Sequence, residues 1–439
     1  MTSEHNKIYL VQPGGKLTGQ FRMPGDKSIS HRSIMLGSLA EGTTEVTGFL
    51  EGEDALATLA SFRAMGVEIE GPKDGKVKIH GVGMHGLKAA DKDIYLGNSG
   101  TSIRLLSGLL AGQAFDSTLT GDVSLSGRPM KRVTNPLAEM GANIDSQDGK
   151  PPLKINGGSK LKAINYTLPM ASAQVKSCVL LAGLYAEGTT VVKEPAPTRD
   201  HTERMLQGMG YKVDVDGDTV TIEGGGKLTA TSIDVPSDIS SATFFMVGAA
   251  IAPGSDITLT HVGINPTRIG VINILRLMGA DITLSNEKMT GGEPVADISV
   301  KYAALTGINI PEEQVPLAID EFPAIFVAAA CADGQTVLTG AEELRVKESD
   351  RIQAMADGLQ ILGVDAVATD DGIIINGGTI GSGEVESHGD HRIAMSFAMA
   401  ALQAGGTIHI NDCANVATSF PDFVTLAKEA GLEVDEIDG

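Results

Sequence analysis

The chain has 439 residues, a formal net charge of −21 and a hydrophobic share of 42%, with 54 glycines besides. That length predicts two or three domains with sizeable cores, and the composition excludes a disordered chain. So acidic a balance argues against nucleic acid or an anionic membrane as a partner.

The longest apolar stretches, 244–252 and 324–332, are about half the length of a membrane span. The opening MTSEHNK shows neither the basic start nor the apolar run of a signal peptide, so the expectation is a cytoplasmic protein. Three cysteines, Cys178, Cys331 and Cys413, have no paired spacing and predict neither a disulfide framework nor a zinc site. In their apolar contexts they read as buried, inert thiols.

Taken in chain order, the sequence repeats one segment six times: FRAMGVEI, LAEMGANI, LQGMGYKV, LRLMGADI, LQILGVDA and LAKEAGLEV. Their glycines are Gly66, Gly141, Gly210, Gly279, Gly363 and Gly431, spaced 75, 69, 69, 84 and 68 residues apart. Each reads as the end of an amphipathic helix, closed by a left-handed glycine and followed by a strand.

Between them runs a second family, SLAEGTTEV, LLAGQAF, LYAEGTTVV, AIAPGSDITL, ACADGQTVL and LQAGGTIHI, with Gly42, Gly112, Gly188, Gly254, Gly334 and Gly406. Fourteen residues before each glycine stands a polar residue where the helix should begin: Ser28, Asn98, Gln174, Ser240, Asp320 and Arg392. Ser, Asn and Asp at such places read as helix caps, whereas Gln and Arg cap poorly and ask for another use.

Two helices alternating with short strands in each of six repeats predict α/β architecture with parallel pairings. Twelve helices do not fit a TIM barrel, which needs eight βα pairs. The similar stretches FRMPGDKSIS (Phe21–Ser30) and IDVPSDISS (Ile233–Ser241) read as crossovers between two halves of three repeats. The expected domains are 1–24 plus 241–439 (domain I) and 25–240 (domain II).

The basic residues of this acidic chain gather at the same helix starts: GDKSISHR, LGNSGTSIR, GDVSLSGRPMKR, MASAQVKS, PTRDHTE, RVKESDR and GDHR. Helix N-termini carry positive partial charge and free N–H donors, and adjacent Arg and Lys make sites for phosphate and carboxylate. The glycines of LGNSGTS match neither the Walker pattern nor GxGxxG. No HExxH or cysteine cluster marks a metal, and His31, His201, His388 and His391 read as hydrogen-bonding scaffold. Lys176, on a mostly apolar helix, reads as a snorkelling side chain.

Ten ordered motifs span almost the whole chain: GDKSISHR, LGNSGTSIR, SLSGRPMKR, PMASAQVKS, TRDHTE, NPTR, IDEFP, ELRVKESDR, GDHRIAMSF and TSFPDF. Together they resemble the EPSP synthases, within the enolpyruvyl transferases. The resemblance implies two globular domains, each an inside-out α/β barrel of three βαβαββ units, with a substrate cleft between them that closes on the ligands. It implies attack of the 5-hydroxyl of shikimate 3-phosphate on C2 of phosphoenolpyruvate, followed by loss of phosphate, in aromatic amino-acid biosynthesis. Lys27, Ser28, Arg32, Ser172, Gln174, Arg199, Asp320 and Lys347 would hold shikimate 3-phosphate. Lys27, Gly100, Arg128, Gln174, Arg351 and Arg392 would hold phosphoenolpyruvate, and Asp320, Glu348 and Lys27 would move protons. The resemblance further implies a monomer with neither cofactor nor metal, inhibited by glyphosate against a wall formed at Gly100.

Many similar proteins carry a lysine where this chain has Thr418. The nearest alternative, the enolpyruvyl transferase acting on UDP-N-acetylglucosamine, usually has a loop cysteine that GDVSLSGRPMKR lacks. A non-catalytic repeat scaffold is the alternative of another class. It offers no reason for an acid–base pair amid cations.

Overall fold

The computed structural model describes residues 6–439, so Met1–His5 of the opening segment lie outside the described residues. All six glycines of the first family have φ between 83° and 120°, a region that any Cβ disfavours, and each ends a helix or the turn after one. In the second family Gly42, Gly188, Gly254 and Gly334 are left-handed too. Gly112, in the loosest copy, instead stays in the helical region at φ −88° and closes the helix Gly100–Ala111.

Each repeat builds one small sheet. In repeat two the strands lie in the order Ile94–Tyr95, Ser117–Thr120, Lys150–Asn156, Asn143–Gln147. Repeat three follows the same order with Asn165–Thr167, Thr189–Lys193, Thr219–Glu223 and Val213–Asp216. Only the first pair in each sheet is parallel; the rest pair antiparallel. The sequence expectation of parallel pairing therefore holds for one pair in each of these two sheets. A crossover through a helix enforces a parallel neighbour, whereas the tight hairpin after the second helix enforces an antiparallel one.

Three repeats are completed by strands from elsewhere in the chain. Leu228–Thr229 and Ser232–Asp234 lie parallel to Ala40–Thr47 and supply the first strand of repeat one. Thr18–Arg22 does the same for repeat four, with Gly19 opposite Ile257 of the strand Asp256–Gly263. Lys7–Val11 enters repeat six between Ile408–Asn411 and Val434–Asp438, so that Tyr9 faces Ile410 on one side and Glu436 on the other.

The helices at the starts of the repeats lie inside and the sheets outside. Every residue of Ile239–Ile251 and of Phe322–Ala330 is buried, and both pack against His391–Ala400. Gly100–Ala111 packs on Ala173–Gly183 so closely that a Cβ at Gly108 would lie 2.1 Å from the Cys178 carbonyl. The strands are covered on one face only: Lys150–Asn156 alternates exposed and buried residues, and Asn143–Gln147 buries none.

The chain divides into two compact units. The described residues up to Pro24, with Pro236–Met289 and Pro294–Gly439, form domain I, and Gly25–Val235 with Thr290–Glu293 forms domain II. Both divisions of the main chain fall inside the two stretches read as crossovers, but the second comes at 235/236 rather than at 240/241. The reason is local: Asp238 caps the helix Ile239–Ile251, and its backbone N–H donates to the Pro24 carbonyl at 2.8 Å. The hairpin tip Thr290–Glu293 joins domain II because His201 Nδ1 meets Glu293 at 2.7 Å and Arg204 donates to the Gly292 carbonyl at 2.9 Å. Among the described residues no helix is long and apolar enough to cross a membrane.

Candidate active site

The polar phase of the repeat does not supply the helix caps. Ser28, Gln174, Ser240 and Arg392 are each the second residue of a helix, and the cap stands two residues earlier, at Asp26, Ser172, Asp238 and Asp390. Asn98 precedes the capping Ser99, and Asp320 precedes Glu321, the residue before the helix Phe322–Ala330. A cap turns a side-chain oxygen back onto N–H groups of the first turn, whereas the side chains beside it are not held this way.

In domain II the helix starts of repeats one to three carry a cationic set. Lys27 opens the helix Lys27–Leu39 and pairs with Asp54. One turn on, Arg32 is buried, donating from Nε to Thr202 Oγ1 at 2.7 Å, from Nη2 to Ser177 Oγ at 2.8 Å and from Nη1 to the Ser28 carbonyl at 3.0 Å. Burial lowers its pKa to about 10, with the like charge of Arg199 acting in the same sense against Glu203 and Asp26. Arg199 Nη1 lies 3.5 Å from Ser28 Oγ, so the two arginines flank that serine.

Gly100 begins the helix Gly100–Ala111, and a Cβ there would stand 2.9 Å from Arg128 Nη1 and 3.0 Å from Arg104 Nη1. Arg128 is held by Asn98 Oδ1 at 2.5 Å, and Asn98 in turn donates to Asp122 at 2.8 Å. Gln174 accepts from Arg104 at 2.5 Å and donates to Thr101 Oγ1 at 3.0 Å, tying repeats two and three together. Ser172 Oγ accepts from the Val175 N–H as the cap of Ala173–Gly183.

In domain I, Arg351 is 1% exposed and gathers three carboxylates. It donates to Asp320 at 3.2 Å, to Glu348 at 2.7 Å and to Asp390 at 2.8 and 3.3 Å. Burial alone would lower its pKa, but the three carboxylates outweigh that and raise it. Burial likewise works to raise the Asp390 carboxyl, and Arg351 holds it below the ordinary aspartate value. Lys347 stands 3.5 Å from Asp320, and Arg392 donates to the Asp320 carbonyl at 3.2 Å with Glu321 at 3.9 Å.

The site residues expected from the sequence are divided between the domains: Lys27, Ser28, Arg32, Gly100, Arg128, Ser172, Gln174 and Arg199 lie in domain II, and Asp320, Lys347, Glu348, Arg351 and Arg392 in domain I. The sequence placed Asn98 and Arg104 at a helix start without a substrate role, and Asp54 in domain II and Glu321 and Asp390 in domain I were not singled out at all. Arg104 stands one helical turn after Gly100. The acidic partners carried no such signal.

Other expectations need amendment. Lys176 does not snorkel: it is 1% exposed and sits 2.7 Å from both Glu194 and Glu203, because its helix is covered on the side where water would be needed. Burial raises the Glu203 carboxyl above its ordinary value despite Lys176. Thr418 presents no cation: it is buried in the turn Ala414–Thr418, and its hydroxyl donates to the Asn415 carbonyl at 2.7 Å. Asp200, His201 and Glu293 bring ligand-type atoms within 4.8 Å of one another, a grouping the histidine spacing did not reveal. Arg204 donates to Asp200 at 2.9 Å, and a guanidinium in that position opposes a cation. Cys178 and Cys413 are buried, and burial raises all three thiols, Cys331 to about 12.

A model of the family described as EPSP synthase (3-phosphoshikimate 1-carboxyvinyltransferase) matches residues 11–426. The chain is 68% identical over 434 residues to a 3-phosphoshikimate 1-carboxyvinyltransferase of Methylococcus capsulatus, covering 98% of this chain and 99% of that protein. It is 65% identical over 442 residues to the protein of that name from Hydrogenovibrio crunogenus, covering 99% of each. Among solved structures, EPSP synthase from Acinetobacter baumannii superposes with a TM-score of 0.89 at 62% identity, covering 98% of this chain and 100% of that one.

Proposed function

The chain belongs to the EPSP synthase family, and on that premise we propose that it transfers the enolpyruvyl group of phosphoenolpyruvate to the 5-hydroxyl of shikimate 3-phosphate. The observation that carries this reading is the division of labour between the clusters. Domain II places Lys27, Arg32, Arg104 and Arg199 at or just before helix starts and brings the Arg128 guanidinium to the start of Gly100–Ala111, while domain I places two carboxylates, Asp320 and Glu348, on one buried guanidinium.

The substrates together bring two phosphates and two carboxylates, so several cations are needed before like charges tolerate contact. Lys27, Ser28, Arg32, Ser172, Gln174, Arg199, Asp320 and Lys347 bind shikimate 3-phosphate; Lys27, Gly100, Arg128, Gln174, Arg351 and Arg392 bind phosphoenolpyruvate. Asp320 accepts the proton of the 5-hydroxyl as its oxygen bonds to C2, and the Glu348 acid protonates the methylene. Cleavage of the C–O bond then releases phosphate, while the Glu348 carboxylate takes a methyl proton back and regenerates the double bond. Lys27 assists beside Asp54. No cofactor enters, and the enzyme acts as a cytoplasmic monomer.

The test is phosphate release from phosphoenolpyruvate with either shikimate 3-phosphate or UDP-N-acetylglucosamine, before and after treatment with a chelator. Release only with shikimate 3-phosphate, undiminished by the chelator, is expected. Release with the UDP-sugar, or a requirement for a restored divalent ion, overturns the reading or its metal-free part respectively.

A further inference from the structure

Arg32 has five N–H donors in a fixed fork, and three are committed. Thr202 Oγ1 accepts from Nε and Ser177 Oγ from Nη2, which together occupy one side edge of the fork; the Ser28 carbonyl accepts from Nη1. Two donors are left, one on Nη1 and one on Nη2, the two nitrogens of the outer edge, and such a pair suits two anionic oxygens.

We propose that Thr202 and Ser177 are positioning residues for shikimate 3-phosphate, locking Arg32 so that its outer edge meets a pair of anionic oxygens of that substrate. This rests on the functional reading above.

Neither hydroxyl is placed by Arg32 alone. Ser177 and Thr202 hydrogen-bond each other at 2.8 Å and are buried, on the helices Ala173–Gly183 and His201–Gly208. Their chain neighbours Lys176 and Glu203 join the same two helices by a buried ion pair at 2.7 Å. The clamp therefore holds the hydroxyls in place before any ligand arrives, which is how an outer layer of side chains keeps a binding group within tolerance. Arg199, which leads into the second of these helices, flanks Ser28 from the other side. Repeats one and three thus meet at a single guanidinium.

The experiment compares Thr202→Val, which keeps the shape and loses the hydroxyl, with Thr202→Ser, which keeps the hydroxyl and loses a methyl. Calorimetric dissociation constants for shikimate 3-phosphate are read beside KM for both substrates, each at saturating co-substrate. A hydrogen bond to a charged group predicts that Thr202→Val weakens shikimate 3-phosphate roughly 10- to 100-fold, leaving the phosphoenolpyruvate KM within about twofold. Thr202→Ser should bind like the parent. Ser177→Ala should follow Thr202→Val, and serves alone should the valine variant not fold. Equal weakening by Ser and Val makes Thr202 a packing residue, and parent-like binding by Val or by Ser177→Ala removes the lock; either overturns the proposal. If the parent itself does not bind shikimate 3-phosphate, the functional reading fails first.

Discussion

Arg351 Nη1 donates to Asp320 Oδ1 at 3.2 Å. The same guanidinium holds Glu348 and Asp390, so one buried cation aligns both carboxylates assigned to proton transfer, with a third behind them. Three acids on one arginine keep the acid–base pair in fixed relation and make that arginine indispensable to domain I.

Asp320→Ala should lower kcat on the order of 10²- to 10⁴-fold with little change in substrate binding, as loss of a general base does. Arg32→Ala should instead weaken shikimate 3-phosphate with a smaller effect on kcat. Steady-state kinetics and calorimetry on both variants check the contrast; equal, small effects from both would place the site elsewhere.

Arg351→Met should destabilise the fold, because it removes the buried cation that three carboxylates share. Breaking a buried ion pair by removing one partner costs about 3–5 kcal/mol. Urea unfolding followed by circular dichroism should show a transition at lower denaturant than in the parent. An unchanged midpoint would mean that water or a rearranged cation relieves the three acids.

Gly100→Ala places a methyl against Arg128 and Arg104, at 2.9 and 3.0 Å from their guanidinium nitrogens. Arg128 is tethered to Asn98, so the methyl presses on a cation assigned to phosphoenolpyruvate as well as on the space a longer ligand would use. Overpacking of about 1–3 kcal/mol corresponds to roughly 5- to 150-fold weaker binding. We expect competitive inhibition of the parent by glyphosate, a large rise of its inhibition constant in the variant, and a smaller rise in the phosphoenolpyruvate KM. A parent indifferent to glyphosate, or a parallel rise of both constants, would contradict this wall.

His31 is buried, with Nδ1 2.8 Å from Thr58 Oγ1 and 3.3 Å from Ser102 Oγ. Burial, then Lys27 and Arg32, pushes its pKa well below the ordinary histidine value. The folded chain therefore keeps this imidazole neutral at pH values where the unfolded chain protonates it. Its contribution to stability is fully present above about pH 6.5 and is lost as pH falls below that value, at about 1.4 kcal/mol per pH unit. Denaturant unfolding between pH 5 and 8 should show that slope, and His31→Asn should remove it. A variant retaining the full slope would assign it to other groups.

Much of the architecture was legible in the sequence because it is written in short-range terms. A left-handed helix end admits glycine far more readily than any other residue, so Gly66, Gly141, Gly210, Gly279, Gly363 and Gly431 marked six helix ends before any coordinates. The run of buried residues in Phe322–Ala330 was equally plain. The cationic helix starts could be found because the repeat aligns them at one phase.

Tertiary structure decided what depends on contacts between distant residues. Lys7–Val11 and Thr18–Arg22 close repeats six and four, some 400 and 240 residues away, and a five-residue strand carries no mark of its partner. Asp26, Ser172, Asp238 and Asp390 proved to be the caps because hydrogen-bond geometry selects among several polar residues that composition treats alike. Lys176 looked amphipathic until Glu194 and Glu203 were seen around it, and Arg351 looked available until three carboxylates were. The sequence by itself determined where charge is concentrated, through local pattern. Which charges neutralise one another, and which stay poised toward a ligand, was decided only in space, because Coulomb interactions and desolvation depend on distance and burial rather than on order along the chain.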